Sequence, residues 1–235
     1  MCLSYLLKKD FQMTEYKIHE IQEHLVLDVD EGLWILDTGA PSSFGAVPKL
    51  EVNNQIHEIE PDYMGFDNQS LSEALGESVA GLIGGDILSK YDSYWDISTN
   101  KIVFSSEPMK NEGEPISLGF FMGIPTLKVT MHGVSNNWFF DTGAVVSYVT
   151  KQPESWENPV DEYDDFYPGY GNFSTEVFED EITLGILSMK IKCGVLPSLL
   201  GMSLGVGGCT GILGLSALNK RSFLYAPRRK KLIFG

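Results

Sequence analysis

Two stretches of this chain end a hydrophobic run in the same way. Trp34 to Phe44 reads WILDTGAPSSF, and Trp138 to Tyr148 reads WFFDTGAVVSY. Each sets an acid, Asp37 or Asp141, at the end of an apolar strand-like segment. A threonine (Thr38, Thr142) and a glycine (Gly39, Gly143) follow. A lone buried carboxylate is costly, so a purely structural role for either acid needs a partner. The threonine hydroxyls can bond backbone, and the glycines let another chain approach closely or φ turn positive. If the two loops meet on a pseudo-twofold axis, the carboxylates face each other and share one proton, titrating in two separated steps. That supplies one base and one acid in one place, as peptide hydrolysis by an activated water requires. The plainer alternative is a pair of buried structural acids.

The repetition extends beyond the triplets. The two aspartates stand 104 residues apart, and at the same offset Ala40 matches Ala144, Ser43 matches Ser147 and Phe44 corresponds to Tyr148. A Gly-rich segment follows each motif, GLIGGDILSK from Gly81 and GILGLSALNK from Gly211. Then YWDISTNKIVF, from Tyr94, matches FLYAPRRKKLIF, from Phe223. One Asp-Thr-Gly is weak evidence, but two copies in the same flanking order indicate a duplicated unit. The join, SSEPMKNEGEPISLG, is rich in Pro, Gly and charge and reads as a linker. The expected organisation is therefore residues 1–108, a linker at 109–118, and residues 119–235.

The elements that must hold these loops are mostly strands. Alternating residues predict hairpins turning at Asp30-Glu31-Gly32, at Asn53-Asn54, near Gly185, and at either His132-Gly133 or Asn136-Asn137. Short helices are expected near Leu71 to Leu75, at Asp86 to Lys90 and at Ser216 to Lys220. Trp34 and Trp138 are expected in the core, since one face of each strand must pack inward. The fold class is all-β with a few short helices.

With both motifs and their order in view, the chain resembles the aspartic proteases from about Ile18 to Phe234. The DTGA form and compact halves resemble retropepsins, and the single chain with two halves resembles pepsins. The resemblance implies a two-lobed fold with pseudo-twofold symmetry, acting as an aspartic endopeptidase on peptides or proteins, without cofactor or metal. It implies that Asp37 and Asp141 hold the lytic water, that Thr38 and Thr142 reach across to lock the opposite loop, and that Gly39 and Gly143 present backbone to substrate. Gly84 and Gly214 would lie under the motif loops where the chain threads past. Two other functions remain open: a catalytically silent peptide-binding protein, and a processing protease of narrow specificity.

Such an enzyme needs a flap that excludes water and holds substrate. From Asp37 to Gly84 is 47 residues, but from Asp141 to Gly214 is 73. The longer interval contains YDDFYPGYGNFSTEVF, residues 163–178, with a Pro168-Gly169-Tyr170-Gly171 centre that reads as a hairpin tip. A single main flap is expected there, with Gly169, Tyr170 and Gly171 at its tip; the alternative is a surface insertion away from the cleft. Asp161, Glu162, Asp164 and Asp165 would then stand near the entrance and disfavour acidic substrates.

Composition narrows the field. The formal charge of −15 opposes nucleic-acid binding. No apolar run is long enough to cross a bilayer, and the first residues lack the pattern of a signal peptide, so a cytoplasmic protein is expected, and with two lobes in one chain a monomer. Cys2, Cys193 and Cys209 lack metal-ligand spacing, and free thiols are favoured over a Cys193–Cys209 bridge. His19, His24, His57 and His132 follow no metal-binding pattern. The basic run Lys220 to Lys231 reads as a solvated final hairpin, or else as a patch for an anionic partner. Met1 to Lys17 is longer than a first strand needs and suggests an extra edge strand or a partial plug.

Overall fold

The computed structural model describes residues 13–218 and 221–235. The first half runs β1 (Met13–Ile21), β2 (His24–Val29), β3 (Gly32–Leu36), β4 (Phe44–Gly45), β5 (Lys49–Val52), β6 (Gln55–Glu58), β7 (Asp62–Tyr63) and β8 (Phe66–Asp67). Helix α1 (Asn68–Leu75), β9 (Gly81–Ile83), α2 (Gly85–Leu88), β10 (Asp92–Asp96) and β11 (Lys101–Ser105) complete it. The second half runs β12 (Pro115–Ser117), β13 (Gly119–Phe121), β14 (Ile124–Met131), β15 (Val134–Phe140), β16 (Ser147–Val149), β17 (Asp161–Tyr167), β18 (Gly171–Leu184) and β19 (Leu187–Val195). It ends with α3 (Ser198–Val206), β20 (Gly211–Leu213), β21 (Phe223–Ala226) and β22 (Lys231–Phe234). The chain is mostly β, as its alternating pattern predicts.

The duplication reappears as matched topology. In the first half β2, β3, β9 and β4 are neighbours in that order; in the second, β14, β15, β20 and β16 are. The parallel pairs share one register, Trp34 opposite Gly81 and Trp138 opposite Gly211. The glycines explain that register. A Cβ on Gly81 would stand 2.6 Å from the Trp34 ring, and one on Gly211 would stand 2.6 Å from Trp138. Each indole therefore lies flat over a strand that has no side chain to displace it. Both tryptophans are buried in one core with Trp95, Phe104, Phe140 and Phe223.

Local turns fall where the sequence puts them. β2 and β3 turn at Asp30-Glu31, β5 and β6 at Asn53-Asn54, β18 and β19 at Gly185-Ile186, and β14 and β15 at His132-Gly133 rather than Asn136-Asn137. Helix α1 is capped by Asp67, whose carboxylate accepts from the Ser70 amide at 2.9 Å. The segment expected as helix at Ser216 is a short 3-10 turn, Leu215–Leu218, and residues 219 and 220 lie outside the described residues. Helix α3 is not apparent in the sequence. SLLGMSLGV is apolar on all sides, so no helical period stands out, and only its packing buries Leu200 and Leu204 while leaving Leu199, Met202 and Val206 exposed.

Long-range pairing departs from the expected division. β21 pairs with β10 of the first half, β22 pairs with β21, and β12, within the expected linker, pairs with β22. The halves are thus joined by a sheet ordered β12-β22-β21-β10-β11-β1, sealed by Trp95 stacked on Phe223 at 5.3 Å. β1 is not an edge strand in this sheet: it pairs with β11 through Met13 to Lys17 and with β2 through Ile18 to Ile21. Residues 1–12, with Cys2, lie outside the described residues. Cys193 and Cys209 are free and buried. No helix among the described residues is long and apolar enough to cross a membrane.

The basic tail is not simply solvated. Arg228 and Arg229 turn inward and both bond the carboxylate of Asp92, which is fully buried at the start of β10. Arg228 meets it at 3.1 Å, and the Met109 amide donates to it at 2.9 Å. Lys230 and Lys231 remain exposed. The sequence shows the charges but not that one buried acid two strands away draws two of them in.

Candidate functional site

The two motif loops meet at the centre of the molecule. The Thr38 hydroxyl donates to the Phe140 carbonyl at 2.8 Å and accepts from the Thr142 amide at 3.0 Å. The reciprocal bonds run from the Thr142 hydroxyl to the Leu36 carbonyl at 2.8 Å and from the Thr38 amide to the Thr142 hydroxyl at 3.0 Å. Each threonine therefore sits within the opposite loop, and both are buried. Four buried hydrogen bonds, each contributing about 1 kcal/mol net, fix the two loops in one relative position.

The crossing brings the carboxylates together. One oxygen of Asp37 accepts from the amides of Gly39 at 2.7 Å and Ala40 at 2.9 Å. One oxygen of Asp141 accepts from Gly143 at 2.8 Å and Ala144 at 3.2 Å. Each acid also lies against the other loop's glycine. A Cβ on Gly39 would stand 2.3 Å from the Asp141 carboxyl carbon, and one on Gly143 would stand 2.3 Å from that of Asp37. No side chain fits there, which is why both loops carry glycine.

Beneath the loops the chain threads as the repeat suggests. The Gly85 amide donates to the Ala40 carbonyl at 2.7 Å, and Leu215 donates to Ala144 at 2.8 Å. A Cβ on Gly84 would stand 2.7 Å from the Ala40 carbonyl oxygen, and one on Gly214 would stand 2.4 Å from that of Val146. Ser43 and Ser147 complete the symmetry by accepting from the amides of Gly84 and Gly214. Their place in the repeat was visible, but this supporting role was not.

Electrostatics follow from this packing. Burial raises the Asp37 carboxyl above the usual carboxylate range. Burial raises Asp141 further, and the neighbouring Asp37 charge adds to it. Two close carboxylates in a partly dry site keep one proton between them. This has a consequence for stability. A raised folded-state value means that the fold favours the neutral acid. That contribution is fully present below the unfolded value of about 4 and is lost as pH rises through the raised folded value. Asn at position 141 stays neutral and can still accept from both amides. Melting curves should therefore show Asp141→Asn gaining on the parent as pH rises above about 4, with the difference shrinking below it. A difference that does not grow with pH would contradict the shared proton.

A hairpin from the second half reaches across to the first half. β17 and β18 turn at residues 168–170, with Gly169 and Gly171 at φ of +79° and +98°. Phe166 stacks on Phe66 at 4.6 Å, and Gly169 lies against Met64, so the tip meets the small β7–β8 hairpin of the first half. Strand alternation turns Tyr163, Asp165 and Tyr167 to one face. Tyr167 is near enough to both acids that, after burial, their charges hold its hydroxyl unionised to higher pH. Tyr170, the residue picked from sequence, packs its ring edge-on to Phe173 at 6.0 Å. The Pro-Gly-Tyr-Gly centre marks the turn, but the face that looks inward follows from the register of the two strands. Of the four hairpin acids, Asp161, Glu162 and Asp164 are exposed, whereas Asp165 folds inward.

His24, at the start of β2, was also missed. Continuing the β2–β3 register from Val26 opposite Ile35 sets it across from Asp37. The corresponding position in the second half, from Thr126 opposite Phe139, is Ile124. Burial lowers its imidazole, and the charges of Asp165 and Asp37 oppose that shift. The repeat offset of 104 sets His24 against Lys128, so its correspondence with Ile124 emerges only from the strand registers. Among the described residues no group of three or more His, Cys, Asp or Glu side chains could hold a metal ion. Comparison with protein-family models and with curated proteins finds no match to this chain.

Proposed function

We propose that the protein is an aspartic endopeptidase with a two-lobed pepsin/retropepsin-like fold, cleaving peptide or protein substrates by a water held between Asp37 and Asp141. The observation that carries this reading is the reciprocal threonine crossing. It sets two proton-sharing carboxylates on a pseudo-twofold axis, each backed by two amides and by the opposite glycine.

The ionised carboxylate takes a proton from the water as its oxygen attacks the scissile carbonyl. The protonated carboxyl gives its proton to the carbonyl oxygen. The resulting tetrahedral diol collapses as the amide nitrogen receives a proton and leaves, and the pair returns to one shared proton. The β17–β18 hairpin would lift to admit substrate and close to exclude water, with Tyr167 on its inner face and Phe66–Phe166 as the contact to break. The residues after each glycine are alanines, which offer no hydroxyl to favour the charged acids. The activity optimum should therefore be mildly acidic.

The test is digestion of a proteome-derived peptide library from about pH 3 to about pH 8, read by mass spectrometry, since the pair needs one acid and one base. Cleavage blocked by a statine-type transition-state mimic is expected, with a bell-shaped pH profile peaking at mildly acidic pH. Binding of the mimic without any cleavage would instead make the protein a silent peptide binder.

A further inference from the structure

The inward-facing Asp165 has no role in the chemistry just described. Its carboxylate accepts from the Tyr148 hydroxyl and from the Phe166 amide at 2.8 Å. Tyr148 follows the second motif and is itself buried, so Asp165 is held in place by the wall of the site. No lysine or arginine among the described residues forms an ion pair with it. Asp92 provides a contrast within the same molecule, being a buried carboxylate that meets two arginines. Asp165 is part-buried, and burial raises its carboxyl above the usual carboxylate range, so a positive charge brought beside it would favour its ionised form.

A second group nearby lacks a partner as well. The Nδ1 atom of His24 is buried and no group bonds to it. His24 lies within electrostatic range of both Asp165 and Asp37, and its ring stands beside the Gly143 backbone. Asp165 thus stands on the hairpin side and His24 on the β2 side, with Nδ1 of His24 enclosed. The carboxylate is the group that an incoming positive charge can meet.

We propose that Asp165, fixed by Tyr148, forms a subsite that selects a lysine or arginine side chain close to the scissile bond. This rests on the endopeptidase reading. An ammonium carries three donors and a guanidinium five, so either can bond the Asp165 carboxylate. The overall charge of −15 favours the approach of a basic substrate.

The experiment uses uncleavable peptides in which a hydroxyethylene group replaces the scissile amide. Lysine is placed in turn at each flanking position and compared with norleucine, which keeps the four-carbon stem without the charge; arginine is compared with citrulline. Binding is measured by calorimetry at about pH 7. At one position the basic member of each pair should bind at least about tenfold tighter, as a charge-assisted hydrogen bond allows. In Asp165→Asn, whose single carbonyl oxygen can still accept from the Phe166 amide while its NH2 donates to the Tyr148 hydroxyl oxygen, that ratio should fall to near one. Equal binding of charged and neutral members at every position overturns the subsite while leaving the endopeptidase reading standing. So does a preference that survives Asp165→Asn. The comparison in the parent protein needs no variant, so it decides the matter if Asp165→Asn does not fold. If no analogue binds and no library peptide is cleaved, the subsite falls together with the reading beneath it.

Discussion

Asn in place of either Asp37 or Asp141 should lower peptide hydrolysis by roughly 10²–10⁴-fold, the usual loss when positioned acid–base chemistry is removed. The substitution is nearly isosteric, and Asn can still accept from the two amides behind each acid. The crossed threonines do not depend on either carboxylate, so the loops should remain in place. What disappears is the shared proton. An amide neither takes a proton from water nor gives one to a carbonyl. The two single variants should be about equally inactive and the double variant scarcely worse, because the pair acts as a unit. The measurement is kcat/KM on a cleaved library peptide, alongside a melting curve to show that each variant is folded. Asp141→Asn with the activity of the parent would end the proposed mechanism. The same variant should gain relative stability as pH rises, so activity and stability should move in opposite directions. That divergence separates a dyad from two structural acids, whose loss would weaken the fold.

Asp92→Ala should produce the largest loss of stability, about 3–5 kcal/mol, the cost of removing one partner from a buried ion pair. Three donors lose their acceptor at once: Arg228, Arg229 and the Met109 amide. The two guanidinium groups are about one-third exposed and can turn towards water, which favours the lower end of that range. For a chain of this size that is a fall in Tm of roughly 6–12 °C. Arg229→Ala should cost clearly less, since Asp92 keeps Arg228 and Met109. The clamp joins β10 of the first half to the turn between β21 and β22 of the second. Its loss should therefore loosen the sheet that joins the halves rather than the motif loops. Denaturant melts that leave Asp92→Ala within about 0.5 kcal/mol of the parent, as ordinary surface changes do, would show that the clamp contributes little.

The sequence by itself determined the features that depend on neighbouring residues. Alternation located the β2–β3, β5–β6 and β18–β19 hairpins because a strand's inward and outward faces are written with period two. The paired motifs located Asp37 and Asp141, and with them the glycines of both loops and of the segments beneath. At those positions a Cβ would collide with backbone, aromatic ring or carboxylate, so the requirement survives as a visible residue type. The repeat also placed Ser43 and Ser147 in register, without saying what they bond.

Only the tertiary structure decided the rest, because each remaining feature joins residues that no local period connects. A strand pattern does not name its partner, so nothing in Phe223 to Ala226 shows that this strand crosses to β10. Charge does not name its partner either, and Arg228 and Arg229 look solvated until Asp92 is seen buried beside them. Helix α3 has no period to read, since its glycines and uniform apolarity leave the choice of buried face to packing. The hairpin tip was legible at Pro168 to Gly171, yet its inward face was not. Alternation distinguishes two faces of a strand, and the fold alone chooses which one meets the two acids. That choice set Tyr167, still exposed, on the side of the two acids, tied Asp165 to Tyr148 and packed Tyr170 against Phe173.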